Sequence, residues 1–311
     1  MPHITSRLFS GDADFWRIRQ LSLDTYPITG PGFNWDFRRH DGSRFYNPTP
    51  EVIRDDWFTF IRLWETETGD LAGVAHWHGP GDFYLEIHPA YRNQIEADMV
   101  AWSIDHLAGV DPETHRRQIM TEVYEYDAPR KRILERLGFE KLPDGGVHRK
   151  MRLLGQPLPP RRPVAEGYTL RAIDAADWAD CQRVADLLNA SFHRDFHNAA
   201  EFYQFAHHAP GYRGDLHLVY SAPDGSFAAH AALCYDDQNC RGLYEPVCTH
   251  PAHVRKGLAQ ALMIELLYRA VDLGAREITV ETGDMIPANA LYDSLGFTEV
   301  YKSFTWRKLL D

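Results

Sequence analysis

Val254-Arg255-Lys256-Gly257-Leu258-Ala259-Gln260 joins a run that reads as a strand, Leu243 to Thr249, to a helical pattern beginning at Leu258. A helix start leaves backbone N–H groups without intrahelical partners, and the helix dipole adds partial positive charge there. Such a loop is a seat for phosphate or pyrophosphate. Gly257 lets an anion approach the main chain, Ala259 keeps the first turn open, and Arg255 and Lys256 supply cations. Basic-Gly-small triplets also open ordinary helices, so the loop gains weight only with a second element downstream. That element is Asn289-Ala290-Leu291-Tyr292-Asp293-Ser294-Leu295-Gly296-Phe297, in which Asn289 and Tyr292 are three apart and share one helix face. Glu245 and Glu281 stand in apolar strand runs nearby and supply carboxylates able to take up a proton. Pro246, next to Glu245, interrupts strand pairing.

Together the two elements resemble the GNAT acyltransferase family. Its first element reads Gln/Arg-x-x-Gly-x-Gly/Ala, often after His-Pro, and His250-Pro251 stand at that distance here. Its second pairs an Asn- and Tyr-bearing helix with Leu-Gly-Phe, as in Leu295-Gly296-Phe297. The resemblance is specific in the last third of the chain and fades toward the N-terminus. It implies acetyl-CoA or another acyl-CoA as cosubstrate, and no metal. Backbone amides of Val254, Arg255, Lys256, Gly257, Leu258, Ala259 and Gln260 would hold the pyrophosphate. Val254 stands where the family has Gln or Arg, which implies weaker or reoriented binding. The pantetheine arm would pair with the free edge Val247-Cys248-Thr249 as another strand does. Asn289 would bond the pantetheine or the substrate, and Tyr292 would protonate the departing thiolate. Tyr292 also reads as a packed aromatic, although Leu291 and Leu295 already fill the core stripe. Glu245 is the first choice of general base and Glu281 the second; either also reads as a solvent-facing or ion-paired strand residue.

The activity implied is N-acyl transfer, most simply N-acetyl transfer, to a small-molecule or peptide amine. No activated nucleophile is evident, so transfer is direct. The alternatives are a non-catalytic acyl-CoA-binding or regulatory protein, and an interaction module that keeps only the fold.

The composition agrees with an ordinary globular chain: 311 residues, 44% hydrophobic and 25% charged. A formal charge of −11 without long basic tracts disfavours nucleic acid and suits an amine substrate. No run is long enough to span a membrane, no secretory pattern opens the chain, and the four cysteines form no C-x-x-C pair. These features point to a cytoplasmic protein, with a homodimer left open. Cys248 reads as a buried strand cysteine. Among 16 histidines, His193, His197, His207 and His208 cluster in a segment expected to cover the acceptor, without metal-ligand spacing.

The halves repeat. His88-Pro89-Ala90 echoes His250-Pro251-Ala252, and Leu137-Gly138-Phe139 echoes Leu295-Gly296-Phe297, each about 160 residues apart. A Pro-rich stretch, 155–166, separates them. The expected organisation is a degenerate GNAT-like domain at 1–154, a linker at 155–166 and a catalytic GNAT domain at 167–311. Each is an α/β (α+β) unit with a mixed, mainly antiparallel sheet flanked by helices. In the first half, Ile95-Glu96-Ala97 replaces Gly257-Leu258-Ala259, while Lys131 and Leu134 replace Asn289 and Tyr292. Such a half does not suit acyl-CoA.

Overall fold

The computed structural model of the chain describes residues 3–283 and 285–310. It contains two compact units, each built from separated stretches of sequence. The first comprises residues 1–37, 53–148 and 301–311, and the second 38–52 and 149–300.

The first unit is a sheet in the order Ile4–Leu8, Ile61–Thr66, Leu71–Gly79, Asp82–Ile87, Arg117–Tyr124 and the terminal strand Glu299–Leu310. Neighbours run antiparallel except Asp82–Ile87 and Arg117–Tyr124, which are parallel and paired only at Asp82 and Met120. Alternation buries Ala72, Phe83, Leu85, Ile119 and Val123 under the helices Glu96–Leu107 and Ala128–Arg136, which contribute Met99, Val100, Ile133 and Leu134.

The second unit orders its strands Thr169–Ala172, His217–Ser221, Phe227–Asp236, Arg241–Thr249 and Glu277–Gly283, with residues 149–152 on the far side. From Thr169–Ala172 to Arg241–Thr249 the neighbours pair antiparallel, and Arg241–Thr249 pairs parallel with Glu277–Gly283. Its two faces pack separate cores. One carries Leu218, Ala231, Leu233 and Tyr244 against Leu262, Leu266 and Leu267 of the helix Leu258–Asp272. The other carries Val219, Phe227 and Cys248 against the helices Trp178–Phe192 and Ala199–His208. The sheet is mixed and mainly antiparallel in both units, as expected.

Three segments fall outside a division at the Pro-rich stretch. Residues 301–310 were expected to finish the second sheet and instead pair with Arg117–Tyr124 in the first. Residues 149–152 lie before the linker yet belong to the second unit, where Lys150 pairs with Glu277 at 3.1 Å. Residues 38–52, read as part of the first half, also belong to the second. A strand's period-2 pattern specifies which face is buried, not which sheet receives it, and so gave no warning. The linker itself lies along the helix Leu258–Asp272: Arg161 bonds Glu265 at 2.8 Å, and Tyr268 donates to the Pro159 carbonyl at 3.3 Å. Asp177 caps Trp178–Phe192, its carboxylate accepting from the Ala179 N–H at 2.9 Å. Among the described residues no helix is long and apolar enough to cross a membrane.

The repeat survives in backbone detail. His88 and His250 both cap short 3-10 turns by accepting from Ala90 and Ala252, at 3.3 and 3.2 Å. Gly138 and Gly296 both end helices with positive φ, 82° and 97°, where glycine carries no Cβ penalty.

Candidate functional site

Arg241–Thr249 and Glu277–Gly283 pair from Arg241 and Glu277 up to Tyr244 and Val280, and no further. Beyond that point Val247, Cys248 and Thr249 remain paired to Ala231, His230 and Ala229 on one side only. Glu245 and Pro246 together face Ala232, so the register shifts by one residue where the parallel pairing stops. An inserted residue bends its strand away from a neighbour, and Pro246 has no N–H to offer that neighbour. The strand edge from Val247 to Thr249 is thereby left toward the gap.

At the end of that edge the chain turns through a 3-10 turn, Pro251–His253, into the helix Leu258–Asp272. Gly257 occupies the N-cap position at φ 76° and ψ 7°, and no side chain caps the helix. A Cβ built there would meet nothing within 4 Å, so the space above the first turn is open. Val254, Arg255, Lys256 and Gly257 are exposed, Ala259 and Gln260 half-buried, and Leu258 is in the core. Lys256 donates to the Tyr168 hydroxyl at 2.6 Å, which also lies 2.9 Å from His253 Nδ1. Gln260 ties this helix to the next by donating to Ser294 Oγ at 2.9 Å, and it accepts from Arg162 at 3.4 Å.

The helix Ile286–Leu295 carries the second element. Asn289 is held by protein groups: it accepts from Arg149 Nε at 2.9 Å and donates to the carbonyls of Gly283 and Met285, both at 3.0 Å. Arg149 also bonds Asp293 and reaches the Phe297 carbonyl at 3.5 Å. Asn289 therefore fixes the turn from strand to helix, and binding a ligand would exchange one of these bonds. Tyr292 is 5% exposed and lies 5.9 Å from the Phe297 ring, edge to face. Burial, opposed by the Arg149 charge, pushes its hydroxyl up to about 12. Leu291 is only half-buried, so Tyr292 shares the core stripe that Leu291 and Leu295 were expected to fill.

The two carboxylates differ. Glu281 is bound to Arg39 at 2.7 Å. Glu245 is half-buried, with its carbonyl 3.8 Å from Cys234 Sγ. It is also the leading charge beside Arg38: burial works against that guanidinium, and Glu245 followed by Cys234, Asp41 and Tyr46 raises its pKa. Cys248 is 6% exposed with its thiol pushed up to about 12 by burial, which keeps it protonated and unreactive.

Three contributors were not visible in the sequence reading. Arg149 precedes the linker, and Arg38 and Arg39 come from the helix Phe37–Phe45. Only their charge marked them, and nothing local ties residue 39 to residue 281. The histidines expected to cover the acceptor are mostly peripheral: His193 ends a helix at φ 54°, and His207 and His208 are exposed. His197, 3.3 Å from Glu201, is half-buried against Tyr46. The histidines buried in the unit are His40, His217 and His230, 5%, 2% and 1% exposed.

The first unit shows the same frame filled by its own side chains. Its helix Glu96–Leu107 starts at Ile95, and Glu96, fully buried, accepts from the Asn93 N–H at 2.9 Å and pairs with Arg92 at 3.1 Å. Where Asp82–Ile87 diverges from Arg117–Tyr124, Asn34 donates to the Ile87 carbonyl at 3.1 Å and accepts its N–H at 2.9 Å. Arg130 donates to the Leu85 carbonyl at 3.3 Å. Anion seat and strand edge are both occupied from within.

Residues 181–297 match the family model described as the acetyltransferase (GNAT) family. No curated protein matches the chain in sequence. Among solved structures, a GCN5-related N-acetyltransferase from Sphaerobacter thermophilus is 18% identical with a TM-score of 0.65, over 98% of this chain and 95% of that one. A tandem GNAT protein from the clavulanic acid biosynthesis pathway is 14% identical with a TM-score of 0.63, over 99% and 98%. At these identities the likeness is one of fold.

Proposed function

We propose, from the match of residues 181–297 to the GNAT acetyltransferase family, that the protein is an N-acyltransferase, with acetyl-CoA as its first expected donor. The observation that carries this reading is the end of parallel pairing at Tyr244 and Val280, next to a helix start opened by Gly257. An acyl-CoA whose pantetheine amides pair with Val247, Cys248 and Thr249 would have its pyrophosphate at the amides of Val254 to Gln260. Binding energy from these remote groups then positions the thioester for attack.

The acceptor, an ammonium in water, loses one proton to Glu245, directly or through a water. Glu281 is the poorer base because Arg39 already holds it. The nitrogen lone pair attacks the thioester carbon, the C–N bond forms, and the C–S bond breaks. A second proton leaves the nitrogen, Tyr292 hydrogen-bonds the departing thiolate, and the thiol forms. The balance is one amide, one CoA thiol and one proton released. The second unit alone carries the site. Four free cysteines agree with a reducing, cytoplasmic setting.

The test is acetyl-CoA-dependent thiol release over a panel of amino acids, polyamines, amino sugars, aminoglycosides and peptide N-termini. Turnover with any member supports the reading. Stoichiometric CoA binding with no turnover across the panel would instead favour a binding protein.

A further inference from the structure

On the sheet face that packs against Trp178–Phe192 and Ala199–His208, polar side chains converge in the interior. His217 and His230 come from neighbouring strands, with ring centroids 5.8 Å apart. His230 sits opposite Cys248, inside the stretch whose other edge faces the gap. The Tyr212 ring lies 4.4 Å from that of His217, tilted by 38°, and Phe205 lies 6.4 Å from His217 and 5.6 Å from Tyr46. Both ring nitrogens of His217 and of His230 are buried without a hydrogen-bond partner, as are the hydroxyls of Tyr46 and Tyr212 and the Gln204 Oε1. Buried polar groups are normally satisfied, so a cluster of this density marks a place where something else binds.

The chemistry of the cluster restricts that something. Burial, then His230, then the Arg38 charge push His217 well below the usual imidazole range; burial and Arg38 push His230 down to about 3. Both rings are neutral, and each offers one donor and one acceptor. The hydroxyls offer both as well, and Gln204 Oε1 only accepts. A carboxylate or phosphate, which only accepts, would leave the imidazole acceptors and Gln204 unmatched. An ammonium, which only donates, would meet the Arg38 charge. A neutral hydroxyl both donates and accepts, and the rings of Phe205 and Tyr212 suit the carbon skeleton that bears it.

We propose that this polar cluster receives the acceptor, and that the acceptor is a hydroxyl-bearing amine, an amino alcohol or amino sugar, with its hydroxyls among His217, His230, Tyr46 and Tyr212. The assignment rests on the acyltransferase reading for the fate of the amine, but the cluster's preference is measurable without it.

The experiment uses the full chain and amines matched except for hydroxyls: 2-aminoethanol against ethylamine, and glucosamine against cyclohexylamine. Calorimetric titration with each amine, with and without CoA, reads the cluster directly; thiol release from acetyl-CoA reads transfer. The hydroxylated partner is expected to bind, and to give kcat/KM, roughly 10-fold better or more, since its absence strands a buried group. Tyr46→Phe and Tyr212→Phe keep the rings. They should erase most of that preference, read as the ratio of hydroxylated to plain amine, while leaving the affinity for CoA unchanged, with thermal melting confirming the fold. Equal binding of hydroxylated and plain amines overturns the proposal whatever CoA does, as does an equal loss for both in the Phe variants. Failure to bind CoA, with the amine preference intact, would overturn the acyltransferase reading and leave the cluster's assignment standing.

Discussion

Tyr292→Phe isolates one hydroxyl. The ring packs against Phe297 within the core and the residue is 5% exposed, so Phe preserves the apolar surface and the helix Ile286–Leu295 should keep its stability. Burial pushes the phenol to about 12. A free thiol titrates near ~8.5, so full proton transfer from this phenol to a thiolate is uphill by roughly 3.5 units, about 5 kcal/mol at ~1.36 kcal/mol per unit. Complete transfer is therefore not what the hydroxyl supplies. On the proposed mechanism it would supply a hydrogen bond to the charge developing on sulfur, and bonds to charged groups contribute about 1.5–3 kcal/mol. Removing it should lower kcat and kcat/KM together by roughly 10- to 150-fold, because the charge exists only as the C–S bond breaks. Treated as a general acid, the same hydroxyl would be expected to contribute about 10²-fold, at the lower end of general acid catalysis.

Steady-state kinetics with acetyl-CoA, alongside CoA titration and thermal melting, separate the possibilities. The sign of the pKa shift adds a check. A phenol raised to about 12 stays protonated through the assay range, so any limb in kcat below pH 10 belongs to another group and should persist in the Phe variant. An acyl donor with a more acidic leaving thiol should show a smaller defect. Unchanged kcat in Tyr292→Phe would refute the reasoning and leave Tyr292 as core packing, with solvent protonating the thiolate.

Calorimetry with CoA should find one site per chain, and Gly257→Glu should abolish it by placing a carboxylate at the open N-cap; two equivalent sites would end the asymmetry argument. Asn34→Leu should destabilise the first unit by about 1–3 kcal/mol in urea, because the Ile87 N–H and carbonyl lose their partner. His217 and His230 have depressed folded pKa values, so the stability they contribute is present above the unfolded value of about 6.5 and is lost as pH falls toward about 3. Between pH 6.5 and 5.5 the second unit should lose roughly 2 kcal/mol; a flat urea midpoint over that unit of pH would contradict their burial as neutral rings. A fragment of residues 167–311 lacks 38–52 and 149–152, both parts of the second unit, and should fail to melt cooperatively; a monodisperse, active fragment would contradict that assignment.

What the sequence disclosed is what local chemistry determines. Gly257 at a helix start, Gly296 ending a helix and Pro246 breaking a strand each act within a few residues of themselves. Their roles follow from backbone geometry that composition alone reveals. Pairings across long separations left no such trace. Arg39 meets Glu281, Arg149 meets Asn289, and the final strand joins Arg117–Tyr124, each because of tertiary placement that no window of sequence contains. His217 and His230 were hidden for a different reason: in alternating strands they stand where apolar residues are expected, and a lone strand histidine reads as half-exposed.

The two units also show how one frame leaves its helix start and strand edge open in one copy and fills them in the other. A strand that diverges from its parallel neighbour exposes backbone groups that must be satisfied by something. In the first unit Asn34 and Arg130 supply the partners, and Glu96 supplies the negative charge that its helix start favours. Those bonds are permanent, so the divergence there serves packing. In the second unit the edge from Val247 to Thr249 faces the gap, no side chain caps Gly257, and the nearest carboxylate of the second element's helix, Asp293, is held by Arg149. Converting the first arrangement into the second requires removing an anion from the helix start and two side chains from the strand edge. Glu96→Gly alone should therefore not create CoA binding in the first unit, since Asn34 would still occupy Ile87. A second CoA site appearing in that single variant, measured by calorimetry, would show that the helix start and not the strand edge controls where the donor binds.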